Sequence, residues 1–176
     1  MELKTNRLYI RPFNKNDIED TYEIYSNDEV CRYLLEYAWD SCNKEIEFSK
    51  KLDNKHLTED SSLNLAVVLN YKLIGDISVW YTGMKGTVEI GFLFNPEYAN
   101  KGYAKESVQA VIKSLFAEYN IHRIQANLDA RNKSSAKLCE NLGMRLEDHF
   151  IKDFWNKGEW TDSYVYGMLI EDVEEL

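Results

Sequence analysis

The stretch TVEIGFLFNPEYANKGYAKESVQAVI, residues 87–112, decides how the rest of the sequence is interpreted. Its first part has the alternating period of a β-strand, and from Lys105 onward the apolar residues recur with the period of a helix. The loop between them carries a single glycine, Gly102. A helix start after such a loop presents unpaired N–H groups that favour a bound anion, although a lone glycine there is more often a simple tight turn.

The loop suits a phosphate better than it suits a dinucleotide. Gly102 allows close approach of the backbone, Ala104 keeps the first helical turn slim, and Lys101 and Lys105 add positive charge. A dinucleotide-binding helix would open with G-x-G-x-x-G, and only one of those glycines is present. The sequence therefore predicts a different ligand that bears phosphate.

The remaining pattern indicates a mixed α/β protein in one domain, residues 1–176. The apolar periods predict strands over 7–13, 63–70, 72–81, 87–95, 122–129, 145–155 and 159–170, and helices over 14–28, 28–37, 41–56, 105–119 and 132–143. The three strands between residues 63 and 95 are predicted to pair in chain order as a meander. No repeat or low-complexity linker interrupts the sequence.

Composition narrows the class of function. The formal net charge is −9, so the surface repels nucleic acid and mildly attracts cationic partners such as amines, although such a charge also serves solubility alone. The longest purely apolar run, Leu65–Leu69, is too short for a membrane span, and the N-terminal sequence has no secretory apolar core, so a cytoplasmic location is expected. Three widely spaced cysteines and three isolated histidines give no disulfide framework and no metal site.

Four segments together resemble the GCN5-related N-acetyltransferase (GNAT) superfamily, and specifically its RimJ/RimL type. They are LNLAVVLNYKLIGDISVWY (63–81), residues 87–112, HRIQANLDARNKSSAKLCENLGM (122–144) and NKGEWTDSYVYGML (156–169). The opening segment 5–34 is similar to the start of that branch as well. The resemblance implies a GNAT fold, with a mixed sheet of about seven strands splayed between the fourth and fifth and about four helices.

The resemblance also implies a function. Members transfer the acetyl group of acetyl-CoA to a primary amine, and the loop cradles the pyrophosphate of coenzyme A. The acceptor is expected to be a protein N-terminal amine, for example of a ribosomal protein, or a small amine such as a polyamine or aminoglycoside. A monomer or homodimer is expected. The alternative from another class is a non-catalytic module of the same fold that binds acyl-CoA.

The residues expected to hold coenzyme A follow from matching the family's positions. A glycine, Gly91, suits a β-bulge that would open the strand ladder beside the pantetheine arm. The polar side chains of Asn127, Asn132 and Ser135, at a strand end and a helix start, are also suited to capping alone, without a ligand. The expected cofactor-binding residues are Phe92, Leu93, Phe94, Asn100, Lys101, Gly102, Tyr103, Ala104, Lys105, Asn127, Asn132 and Ser135.

Glu89 is the leading candidate for the catalytic base. It shares a strand face with Gly91 and Leu93, which directs its carboxylate toward the cleft, but burial would have to raise its pKa for this role. The alternative is a carboxylate that faces solvent or anchors the substrate. Cys139 occupies the position of the tyrosine acid in many relatives, with Ser135 nearby as a partner, although such a cysteine is more often a small core residue.

Two segments rich in aromatic and acidic residues are candidates for binding the acceptor. They are CRYLLEYAWDS (31–41) and KDFWNKGEW (152–160). An aromatic and acidic cleft suits a cationic amine. The residues expected to line it are Tyr33, Glu36, Trp39, Phe154 and Trp155, with Tyr37, Asp40 and Asp153 in the same segments.

Overall fold

The computed structural model describes the backbone of residues 1–175 and the side chains of residues 1–173. Nine strands form one sheet in the order β1-β2-β4-β5-β6-β7-β9-β8, and β3 pairs with β4. The strands are β1 (Leu3–Lys4), β2 (Tyr9–Pro12), β3 (Lys55–Thr58), β4 (Ser61–Leu69), β5 (Lys72–Tyr81), β6 (Thr87–Phe94), β7 (Arg123–Asp129), β8 (Arg145–Asn156) and β9 (Glu159–Leu169).

Five α-helices cover the two faces of the sheet within residues 1–175. They are α1 (Ile18–Tyr25), α2 (Asp28–Cys31), α3 (Lys44–Asp53), α4 (Tyr103–Glu118) and α5 (Lys133–Asn141). The apolar sides of α4 and α5 pack on one face in a core that includes Leu115 and Ile112. The first three helices pack on the opposite face around Phe13, Ile24 and Trp39. We call these two sides the α4 face and the α1 face.

The expected mixed α/β fold is confirmed, with two strands more than expected. The five α-helices equal the number that the apolar periods predict and are one more than the four that the resemblance implies. Strands β1 and β3 have only two and four residues, too few to show a period. The helix predicted over 41–56 ends at Asp53, and the chain then pairs with β4 through Lys55. The helix predicted over 28–37 stops at Cys31, and the chain then turns so that Trp39 N–H donates to the carbonyl of Tyr25.

One pair of neighbours in the sheet separates early. All the strand pairs are antiparallel except β6 with β7, which is parallel. Their register contains only Thr87 with Arg123, Val88 with Ile124 and Glu89 with Gln125. Both strands continue beyond this point, to Phe94 and Asp129, without pairing. We call the gap between residues 90–94 and 126–129 the β6–β7 split, and it is the expected splay.

The split does not arise from a bulge at Gly91, so that expectation is wrong. β5 and β6 keep one unbroken register from Gly75 with Phe94 to Tyr81 with Val88. β6 is therefore braced along its length by β5, and β7 is braced by β9 from Arg123 to Asp129. The gap opens because each arm follows its own antiparallel neighbour in a twisted sheet.

Packing of α4 against the sheet should dominate the stability of this layer. Leu115 is completely buried on α4, so Leu115→Ala should lower the free energy of unfolding by about 2–5 kcal/mol through lost burial and a residual cavity. Urea denaturation monitored by circular dichroism measures it. Lys137→Ala, an exposed change on α5, should alter the same quantity by less than about 0.5 kcal/mol. Equal effects of the two substitutions would contradict this account of the core.

Candidate active site

The two arms of the split present different chemistry on the two faces of the sheet. Val88 and Ile90 are buried in the core on the α4 face, and Phe92 and Phe94 pack against that core. Because side chains alternate along a strand, Glu89, Gly91 and Leu93 point to the α1 face, where Leu93 packs beside the first three helices. Phe92, Leu93 and Phe94 are only half-buried although β6 lies in the middle of the sheet.

Glu89 lies at the closed end of the split, in the last residue pair of the β6–β7 ladder. Gln125 Nε2 donates to its Oε2 at 3.1 Å, and Asn127 Nδ2 donates to the same oxygen at 2.5 Å. Burial raises the pKa of Glu89, and these two hydrogen bonds to the ionised form only partly oppose the rise. A carboxyl with a raised pKa beside an open gap is typical of a general base.

The loop after β6 has the backbone that the sequence suggested. A 3₁₀ turn, Pro96–Tyr98, follows the strand, and both Asn100 (φ 59°) and Gly102 (φ 80°) are left-handed. α4 then begins without a side-chain cap, and Glu106 is the first residue whose N–H bonds back, to the carbonyl of Gly102. The N–H groups of Tyr103, Ala104 and Lys105 precede that bond, where an anion is favoured.

Thr5 and Arg7 of the N-terminal segment hold this loop in place. The sequence pattern did not predict this contact. Arg7 Nη1 donates to the carbonyl of Lys101 at 2.9 Å, and its guanidinium pairs with Glu106 at 2.6 Å. Thr5 Oγ1 also donates to Glu106, at 2.5 Å. Partial burial raises the pKa of Glu106, but the hydrogen bonds from Thr5 and Arg7 outweigh it and lower the pKa below its usual value. The carboxylate therefore stays ionised and fixes the start of α4.

The lysines of the loop differ in their surroundings. Lys101 turns back, and its Nζ donates to the carbonyl of Glu97 at 3.1 Å above the ring of Tyr98. Lys105 borders a cavity of about 420 Å³ beside the first turns of α4. The cavity is lined by Thr5, Asn6, Gly102, Lys105, Glu106, Gln109, Ala110 and Lys113. Both lysines thus place positive charge near the helix start, with Lys105 beside the first turns of α4 and Lys101 turned toward Glu97.

The α5 residues fall into two groups. Asn132 Oδ1 accepts from the N–H of Ser135 at 3.1 Å, so Asn132 caps the helix, and both residues are half-buried. Cys139 is completely buried in the core of the α4 face, and burial raises its pKa to about 12. A group with no exposed surface does not reach a leaving sulfur in the split. The expectation that Cys139 is the catalytic acid is therefore corrected to a packing residue.

The two segments expected to bind the acceptor meet in space. Asn156 Nδ2 donates to the carbonyl of Leu34 at 3.2 Å, and Lys157 Nζ donates to the carbonyl of Cys31 at 2.7 Å. Lys157 also lies 5.2 Å from the ring centre of Tyr37. The turn between β8 and β9 is therefore attached to the connection that follows α2.

The residues of these two segments differ in how deeply their side chains are buried. Trp39 is buried and stacks on Tyr25 with ring centres 4.5 Å apart, so its predicted role in lining the cleft is corrected to a role in the core. Phe154 and Trp155 are exposed on the hairpin, and Glu36 is exposed beyond α2. Tyr33 is half-buried, 5.7 Å from the guanidinium of Arg131.

Comparison with known proteins decides the family. The profile of the Acetyltransferase (GNAT) domain matches residues 7–145, which include the loop, the split and α5. The chain belongs to the GNAT family. The GNAT assignment confirms the resemblance drawn from the motifs and makes the protein an acyltransferase that carries out N-acetyl transfer.

Two similar proteins match nearly the full length of the chain. An uncharacterised N-acetyltransferase of Bacillus subtilis, YnaD, is 36% identical over 98% of this chain and 99% of its own length. The crystal structure of a GNAT acetyltransferase from Bacillus anthracis has a TM-score of 0.87 at 35% identity, over 97% of this chain and 99% of that one.

A further GNAT structure contains ligands. Spermidine N-acetyltransferase from Vibrio cholerae, solved with CoA and spermine, has the same fold, with a TM-score of 0.80 at 20% identity over 97% of this chain and 99% of that one. Acetyl-CoA is the usual cofactor of the GNAT family. Among the described residues, no group of three or more His, Cys, Asp or Glu side chains is arranged to hold a metal ion. None of the described helices is long and apolar enough to cross a membrane.

The positions of the cysteines predict their reactivity. Burial raises the pKa of Cys31 to about 11 and that of Cys139 to about 12, so both stay protonated and inaccessible, whereas Cys42 is exposed. In the folded protein at about pH 8, a chromogenic disulfide reagent should label only Cys42 rapidly. Cys42→Ser should abolish the rapid phase, and denaturant should expose the remaining thiols. Rapid labelling of Cys139, located by mass spectrometry, would restore it as a candidate acid.

Proposed function

We propose that this protein transfers an acetyl group from acetyl-CoA to a primary amine by direct attack of the amine on the thioester, with Glu89 as the general base. The observation that carries the proposal is a carboxyl with a raised pKa at the closed end of the β6–β7 split. An amine attacks only in its neutral form, so a base beside the reacting carbon is needed at neutral pH. A carboxyl that is partly buried yet still hydrogen-bonded suits this task better than an exposed one.

The residues present fit acetyl-CoA. The start of α4 offers the backbone N–H groups of Tyr103, Ala104 and Lys105, and Gly102 leaves the approach clear. These groups would hold the pyrophosphate, with charge from Lys101 and Lys105. The unpaired edges of Phe92, Leu93 and Phe94 would bind the pantetheine arm as an added strand does. When bound, the cofactor supplies an activated thioester. Asn100, Asn132 and Ser135 are proposed to contact the same cofactor.

The remaining steps require little more from the protein. The amine enters on the α1 face, where Glu89 accepts its proton through Oε1 or through one water. A backbone N–H at the open edge near Leu93 polarises the carbonyl. No dedicated acid is assigned, since a thiolate is a good leaving group and Cys139 is buried. Ser135, which is half-buried, is the remaining side chain proposed to donate to the sulfur.

For the acceptor we propose a cationic amine, either a protein N-terminus such as that of a ribosomal protein or a small amine. The net charge of −9 and the exposed Glu36, Phe154 and Trp155 support it. A polyamine is the first small amine to test, because the similar structure from Vibrio cholerae contains spermine. Aminoglycosides are an alternative class of acceptor. The alternative function is that of a non-catalytic module that binds acyl-CoA. A single domain, a cytoplasmic location, and a monomer or homodimer stay predictions.

Removing the carboxylate tests the function. Glu89→Gln keeps the size and the polar character of the side chain but accepts no proton, so kcat with an amine acceptor should fall about 10²–10⁴-fold. Release of free coenzyme A thiol, followed over a panel of amines and N-terminal peptides, measures it. Glu45→Gln on α3 is the control and should be unchanged. Binding of coenzyme A without turnover in the unmodified protein, across the whole panel, would favour the non-catalytic module.

The cofactor loop has its own test. Gly102→Ala places a β-carbon in a left-handed residue, 3.3 Å from Arg7 Nη2, which should shift the loop and weaken coenzyme A binding about tenfold. Isothermal titration calorimetry measures the affinity. Gly158→Ala is the matched control: its φ is also positive, 87°, but its added β-carbon would meet nothing within 4 Å. Equal affinities of the two variants would remove the loop from the proposed site.

A further inference from the structure

Three side chains from the two arms of the split form one hydrogen-bonded unit. Glu89 comes from β6, and Gln125 and Asn127 come from β7. Both amide nitrogens donate to the same carboxylate oxygen, Oε2, at 3.1 Å and 2.5 Å. Two donors that converge on one oxygen fix both the position and the rotation of the carboxylate.

The two carboxylate oxygens of Glu89 differ in their hydrogen bonds. Among the described residues, no hydrogen bond to Oε1 of Glu89 is formed, in contrast to the two at Oε2. We propose that Gln125 and Asn127 are positioning residues that bind Oε2 of Glu89 and thereby reserve Oε1 to accept the proton of the incoming amine. This inference rests on the proposed function of Glu89 as the base, and it concerns residues of β7 that do not themselves take the proton.

The place of Asn127 explains why two donors are used. Gln125 is the last residue of β7 that pairs with β6, so its amide lies directly across from Glu89. Asn127 is the next residue on the same face and already lies on the open arm, where its side chain is exposed. Its bond to Glu89 therefore ties the free part of β7 to β6. Asn127 was expected to contact coenzyme A, but its amide nitrogen is already bound to the carboxylate.

Among the described residues, no charged side chain forms an ion pair with Glu89, and burial and these two amides are the influences on its pKa. The cross-strand neighbour on β5 is Trp80, which does not titrate. On the same face of β7, Arg123 pairs with Glu147 of β8 at 2.5 Å. Asp129, further along the open arm, pairs with Arg131 at 2.7 Å. The hydrogen bonds from Gln125 and Asn127 are thus the interactions that favour the ionised carboxylate against burial.

The experiment measures the carboxyl directly, in the protein without cofactor. The pKa of Glu89 is obtained by a pH titration with ¹³C-labelled glutamate, and Glu89→Gln identifies its signal. Gln125→Leu and Asn127→Leu each remove one donor to the charged form, so the pKa of Glu89 should rise in both variants. The acid limb of the kcat/KM profile should move to higher pH, and kcat/KM should fall about tenfold or more through lost orientation.

Controls separate this inference from a general loss of structure. Asn141→Leu, the same change at an exposed amide at the end of α5, should leave the titration and the rate unchanged. Two separate β7 variants guard against misfolding of either one, which urea denaturation would detect. An unchanged pKa of Glu89 in both variants overturns the inference and leaves the base assignment standing. A Glu89→Gln enzyme with full turnover overturns the base assignment and this inference together.

Discussion

The early end of the ladder between β6 and β7 is the constraint on which the rest of the molecule depends. Only three residue pairs join the two strands, and Glu89 is in the last of them. Unpaired backbone in the middle of a sheet is costly unless another partner takes its hydrogen bonds. Each arm is stable because its other edge is fully paired, β6 with β5 and β7 with β9. The sheet thus maintains an open edge at its centre without an unstable strand.

The loop and the carboxylate are two consequences of this geometry. β6 leads directly through the 3₁₀ turn to the start of α4, so the proposed anion site lies at the open end of the split and Glu89 at its closed end. The two ends are held by different means. Arg7, from before β2, fixes the start of α4 by pairing with Glu106, whereas Glu89 is held by neutral amides. An ion pair fixes the start of α4, and neutral amides hold the carboxylate that is proposed to accept a proton.

Local pattern in the sequence was sufficient for the elements that carry the site, and insufficient for what supports it. The alternation over 87–94 and the apolar stripe of α4 predicted a strand, loop and helix in the right places. Whether Trp39 and Cys139 lie in a cleft or in the core depended on packing, since an aromatic ring and a small thiol suit both places equally well. Arg7 with Lys101, and Lys157 with Cys31, are contacts between residues 94 and 126 positions apart. No window of local sequence reveals them.

The order of strands has a consequence for how the protein is made. β9 is inserted between β7 and β8, so the strand that is synthesised last of the three occupies the middle position. Until β9 has been made, the only strand that β7 can pair with among the described strands is β6, through three residue pairs. A nascent chain can complete α4 and its loop early, yet one wall of the split stays unsupported. The β7 wall of the proposed binding site therefore gains its second strand partner only after β9 has been made.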